Sequence, residues 1–158
     1  AAVVAAIREV DASHSIIVGS VNNYSLDAVS ALAKIADDNV LYAFNFFDPL
    51  TFTRQGDSYD EVDYNTAVVP FPYDAGKMPV LAEDDTAAAA ISGYENYPTQ
   101  GNVDFVKSRI DLAAQFATDN GVKMYCTNFG VRIGIGGDRY EDTGWEVPDA
   151  DRGLWRHL

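Results

Sequence analysis

Three amides that follow apolar runs sit where this chain could do chemistry. They are Asn128 in Tyr125-Cys126-Thr127-Asn128-Phe129-Gly130-Val131, Asn45 near the end of Val40-Leu41-Tyr42-Ala43-Phe44-Asn45-Phe46, and Asn23 shortly after Ser15-Ile16-Ile17-Val18-Gly19. An amide donates and accepts hydrogen bonds but carries no charge, so it is a much poorer nucleophile and base than a carboxylate. The acids nearby offer little instead. Asp48 beside Pro49 reads as a turn cap. Asp57, Asp60, Glu61 and Asp63 fail the calcium-loop spacing and read as solvated charge. Glu83-Asp84-Asp85 reads as favourable charge at a helix start. No helix opens on Gly134-Ile135-Gly136-Gly137, so a phosphate cradle is not expected there, and no Gly-x-Ser-x-Gly occurs. His14 and His157 are the only histidines and Cys126 the only cysteine. An internal disulfide is therefore impossible, and neither a metal site nor a cofactor is expected.

The elements that must carry these amides follow from periodicity. Ala1–Val10 reads as a helix with no cap before it, and both ends of the chain read as cut, as in a piece of a longer protein. Residues 15–19 read as a strand apolar on both faces, the pattern of a covered parallel sheet, and 40–46 as a second strand, bulky and mostly apolar. Ser25 is placed to cap a helix to about Ala36, with Val29, Leu32, Ala33 and Ala36 on one face. A proline-rich loop spans 47–85, a short helix 86–92 stops at Gly93, and a long helix 102–120 stops at Gly121. Its inward face is expected to carry Phe105, Val106, Arg109, Ile110, Ala113, Phe116 and Ala117. Residues 123–127 form a third strand, and Pro148 opens a last helix through Trp155. Repeated βα units predict an α/β fold with about three parallel strands and flanking helices, here a single domain over residues 1–158. The strand carboxyl ends are then the functional side, with His14 on the opposite one. With 24 acidic against 11 basic side chains, net charge −13, nucleic acid and anionic membrane are not expected partners. No apolar run reaches the roughly 18 residues of a membrane span.

Taken together, the strand ends resemble the cellulase-like family five of the glycoside hydrolases. The resemblance runs through Ile7–Gly19, through Asn39–Pro49 followed by Phe52-Thr53-Arg54-Gln55-Gly56, through Asn120–Val131, and through Asp151-Arg152 with Trp155. It implies a partial (βα) barrel of TIM type covering strands five to seven. The family ends its seventh strand in Gly-Glu-Phe-Gly-Val or Asn-Glu-Phe-Gly-Val, with the Glu as nucleophile; that position here is Asn128. The family's site-lining His and its Tyr partner correspond to Asn45 and Phe47, and a further His to Arg54. An aromatic of the fifth-strand loop corresponds to Asn23, with Tyr24 beside it. The acid/base motif Asn-Glu-Pro does not occur in these residues.

Retaining hydrolysis needs two carboxyl groups about 5–5.5 Å apart. The resemblance thus implies a degenerate nucleophile position and no turnover by this chain alone. Two other readings stay open: activity when a missing half or partner chain completes the barrel, and a non-catalytic sugar-binding module. The expected ligand is a β-linked oligosaccharide. Tyr24, Phe47, Phe52, Tyr59 and Trp145 are the flat surfaces a pyranose could stack on, Trp145 being the strongest because it stands in a polar loop. Three strands leave two open edges and an uncovered inner face, so a homodimer covering them is expected. The family habit implies secretion.

Overall fold

The computed structural model describes residues 2–57 and 64–131. In chain order the elements are α1 (Ala2–Arg8), β1 (Ile16–Gly19), the one-turn α2 (Val21–Tyr24), α3 (Leu26–Ser30), β2 (Val40–Phe46), α4 (Leu50–Thr53), α5 (Ala88–Gln100), α6 (Val103–Asn120) and β3 (Lys123–Phe129). They fall into two units, one built from the chain up to Pro49 together with Asn102–Val131, the other containing Leu50–Gly101.

The first unit holds a three-stranded sheet in the order β1-β2-β3, parallel throughout. Alternation divides its side chains between two faces. Val40, Tyr42, Phe44 and Phe46 of β2, with Ile16, Val18, Met124 and Cys126, join the core formed with Val4, Leu26, Val29, Ala113 and Phe116 from the helices. Burying each large apolar side chain there contributes about 1.5–3 kcal/mol. Helix α6 is held at both ends. The Asn102 side chain accepts from the Phe105 N–H, and Gly121 closes the helix in the left-handed conformation at φ 59°. Its buried residues are Ala113 and Phe116, whereas Ile110, expected on the inward face, is 44% exposed.

Two ion-pair sets bind helices to strand ends. Arg8 Nε donates to Asp37 Oδ2 at 2.6 Å, and its Nη1 to the His14 carbonyl at 2.8 Å, tying α1 to the entries of β1 and β2. At the opposite end, Arg109 of α6 reaches Asp27 through both Nη atoms at 2.8 and 2.7 Å and Asp48 through Nε at 2.7 Å. Asp48, expected as a turn cap, is thus tied to α6. The guanidinium holds the Asp27 carboxyl below the usual carboxylate range.

The helix expected from Ser25 to Ala36 is much shorter. Ser25 makes no side-chain cap bond, α3 ends at Ser30, and the Ile35 N–H donates to the Tyr42 hydroxyl at 2.6 Å. Leu32 and Ile35 still reach the core from irregular backbone, so the apolar spacing was satisfied without a helix.

The second unit packs α4 on α5, and the fully buried Tyr97 of α5 donates its hydroxyl to the Pro70 carbonyl at 2.6 Å. Burial pushes that phenol up to about 12. Helix α5 begins later than expected and runs straight through Gly93. A Cβ there would lie 2.8 Å from Thr51 Oγ1, so this glycine serves close helix approach and not termination. Two acids read as solvated or helix-capping are buried. Asp85, 5% exposed, accepts from the Asn65 and Thr66 N–H groups at 2.6 and 2.9 Å and from the Thr66 hydroxyl. Asp57, 3% exposed, accepts from Arg54 Nε and Nη2 at 3.2 and 3.1 Å. Asp60, Glu61 and Asp63 lie outside the described residues.

At the far side of the first unit, the Asp11 carboxylate accepts from the Ser13 and His14 N–H groups at 2.9 and 3.1 Å, which lowers it to about 2. Its contribution is fully present above the unfolded value of about 3.9 and is lost as pH falls through about 2. Melting Asp11→Asn beside the parent should show a deficit at neutral pH that closes between pH 4 and pH 2; a pH-independent gap would contradict this assignment.

Candidate functional site

The carboxyl ends of β2 and β3 meet in a cluster of neutral polar groups. Through most of its length β3 pairs in simple register, Leu41 with Lys123 up to Phe44 with Cys126. Asn45 then pairs with Asn128, not with Thr127. Thr127 is an extra residue, a β-bulge, and it changes the phase of alternation for everything after it. Without it Asn128 would stand opposite Phe46. With it the two amides stand side by side.

Their hydrogen bonds are specific. Asn128 Nδ2 donates to Asn45 Oδ1 at 3.0 Å, and the Thr127 hydroxyl lies against the same oxygen and, at 3.1 Å, against the Phe44 carbonyl. Asn45 Nδ2 donates to the Asn23 carbonyl at 2.8 Å. A parallel bridge between Ser25 and Asn45 brings the loop after β1 alongside. In that loop Asn22, Asn23 and Tyr24 are all left-handed, with φ of 56°, 54° and 57°. Asparagine tolerates this conformation; tyrosine does so rarely. The Tyr24 ring occupies the space where Gly19 has no side chain, since a Cβ at Gly19 would fall 1.7 Å from the ring. Tyr24, Phe47 and Phe129 remain 45%, 38% and 62% exposed.

Of the residues singled out from sequence, Asn23, Asn45 and Asn128 are brought into one bonded cluster, with Tyr24 next in chain and Phe47 two residues beyond Asn45. Arg54 belongs to the second unit, where it pairs with Asp57 and lies 5.1 Å from the Tyr64 ring centroid. Trp145 and Tyr59 lie outside the described residues. Phe52 packs on Phe71, centroids 5.3 Å apart, inside the second unit. Among the described residues no group of three or more His, Cys, Asp or Glu side chains could hold a metal ion. Nor is any described helix long and apolar enough to cross a membrane. Sequence reasoning missed the roles of Thr127 and Gly19. Only the short Gly19 could have been suspected, as a glycine ending an apolar run.

Comparison with known proteins identifies the architecture. Residues of this chain are 31% identical over 135 positions to Endoglucanase 3 of Fibrobacter succinogenes, covering 82% of this chain and 20% of that protein. Endoglucanase C of Acetivibrio thermocellus is 28% identical over 130 residues, covering 81% and 37% respectively. The chain is a cellulase-like relative of these endoglucanases. The cellulase-like chain spans only about a fifth to somewhat over a third of the length of these two proteins. Its backbone matches the Clostridial cellulose synthase subunit Z from Clostridioides difficile with TM-score 0.58 at 23% identity, over 81% of this chain and 34% of that one. That match bears on fold, and the fold is a partial α/β-barrel-like one with three parallel strands in an open sheet. No protein-family model matches.

Proposed function

We propose that this cellulase-like chain contacts a β-linked glucan at its strand ends and does not hydrolyse it by itself. The observation that carries the reading is the Asn45–Asn128 amide pair. It occupies the position at which the family resemblance puts a nucleophilic carboxylate, and Asn128 Nδ2 is bound to a neutral partner, Asn45. An amide cannot form the glycosyl ester or offset the charge of an oxocarbenium ion. Losing one member of such a unit lowers turnover by roughly 10⁴ or more. Asp48, the first acid after β2, is engaged by Arg109. The neutral amides, the Thr127 hydroxyl and the exposed faces of Tyr24 and Phe47 are groups suited to an uncharged, hydroxyl-rich ring.

Incubation with an aryl β-cellobioside and with carboxymethyl cellulose is expected to give no product above the blank, while titration calorimetry with cellotetraose gives saturable heat. Product formed at a rate proportional to protein concentration would overturn the inactive reading. Absence of heat at millimolar sugar would overturn the binding one. The greater length of the relatives favours a second reading, in which a completing segment or partner chain restores turnover. Under that reading the same chain gains activity only in the completed assembly.

A further inference from the structure

We infer that the Asn23 backbone carbonyl, acting through Asn45, fixes the hydrogen-bond polarity of Asn128 and so makes its carbonyl oxygen the outward-facing acceptor of the site. The two orientations of a carboxamide exchange oxygen for nitrogen, and neighbours decide between them. Here one neighbour leaves no choice. A backbone carbonyl only accepts, so the atom of Asn45 that lies 2.8 Å from Asn23 O must be the nitrogen. Asn45 Oδ1 then faces β3, where it meets the Thr127 hydroxyl and an atom of Asn128 at 3.0 Å. That atom must be a donor, hence Asn128 Nδ2. Asn128 Oδ1 is left pointing away from the pair, on an exposed residue.

The order is therefore directional: a carbonyl held by a left-handed turn orients one amide, and that amide orients the next. Asn22, Asn23 and Tyr24 all adopt positive φ, which asparagine tolerates and tyrosine rarely adopts. Asn23 and Asn45 are positioning residues in this scheme, and Asn128 is the contact. The recognised chemistry is a hydroxyl donor, which deepens the proposed function and rests on it for the identity of the sugar. The same logic explains why a carboxylate is a poor guest at position 128: an oxygen would replace the nitrogen that Asn45 Oδ1 requires. Asn45 cannot turn to meet it without abandoning Asn23.

Side-chain amide NMR on protein labelled with ¹⁵N-asparagine tests this without relying on turnover. One Asn128 amide proton should exchange more slowly than the other by about tenfold or more, and Asn45→Ala should abolish the difference. Should Asn45→Ala not fold, Asn128→Asp on the exposed residue provides the second arm. It places oxygen against oxygen, so its melting temperature at pH 7 should fall below that of Asn128→Ser. Equal exchange of both Asn128 protons in the parent protein, or Asn128→Asp melting above Asn128→Ser, overturns the inference. Added cellotetraose should shift the Asn128 resonances. A protected proton with no sugar-induced shift upholds the polarity and overturns the glucan reading.

Discussion

Gly19→Ala is expected to expel the Tyr24 ring from the end of β1 and to lower stability by about 1–3 kcal/mol. The added methyl would stand 1.7 and 1.8 Å from two ring carbons, far inside any tolerable contact. Backbone conformation is not the obstacle, because Gly19 lies outside the positive-φ glycines. The cost is therefore one of contact alone. Tyr24 is 45% exposed and can swing into solvent, so the strand survives while the loop loses its anchor. A double-mutant cycle isolates the cause: with Tyr24→Ala already in place, Gly19→Ala should cost less than about 0.5 kcal/mol more. Additive losses in urea titrations would show that the ring is not what Gly19 accommodates. Because Asn23 precedes Tyr24, the single variant should also disturb the Asn45–Asn23 bond and weaken any binding at the strand ends.

Phe116→Ala should be more damaging, about 3–5 kcal/mol. Phe116 is 5% exposed and meets the Tyr42 ring edge-on, centroids 5.2 Å apart at 66°. Tyr42 is itself 1% exposed and fixes the chain after α3 by accepting from the Ile35 N–H at 2.6 Å. Removing the phenyl group leaves a hole between α6 and the central strand and loosens the tyrosine that accepts from the Ile35 N–H. Against a typical total of 5–15 kcal/mol, such a loss consumes a large share of the fold's stability. Ile110→Ala on the same helix is the control: its side chain is 44% exposed, and its urea midpoint should move little. If both variants lose stability alike, the Phe116–Tyr42 contact is not what sets the cost, because alanine is the better helix former at both positions.

The contrast between those two helix positions shows what was legible beforehand. Strands β2 and β3 announce themselves as bulky apolar runs, and α6 by its apolar face, Asn102 and Gly121. All of these signals are local. Ile110 and Phe116 are equally apolar on paper, and only the partner surface separates them. Gly93 carries the local mark of a stop, yet α5 passes through it because Thr51, far away in sequence, needs the room. Asp85 looks like surface charge because its partner, the Thr66 backbone, counts only once the chain has folded back, whereas the partner of Asp57, Arg54, is only three residues away and could have been suspected. At the site, sequence placed Asn23, Asn45 and Asn128 at strand ends, but not their mutual bonds. Those depend on the extra residue at Thr127, and one misplaced step in a strand leaves no trace in composition.

The pairing register also orders events in time. Ile16 pairs with Val40, 24 positions on, whereas Leu41 pairs with Lys123, 82 positions on. Closing the longer loop costs about 1 kcal/mol more chain entropy than closing the shorter. The β1–β2 pair, with α3 laid on it, is therefore expected to form before β3 arrives. Asn23 can engage Asn45 as soon as β1 and β2 pair. Asn128 is delivered last, onto an acceptor already aimed to receive it.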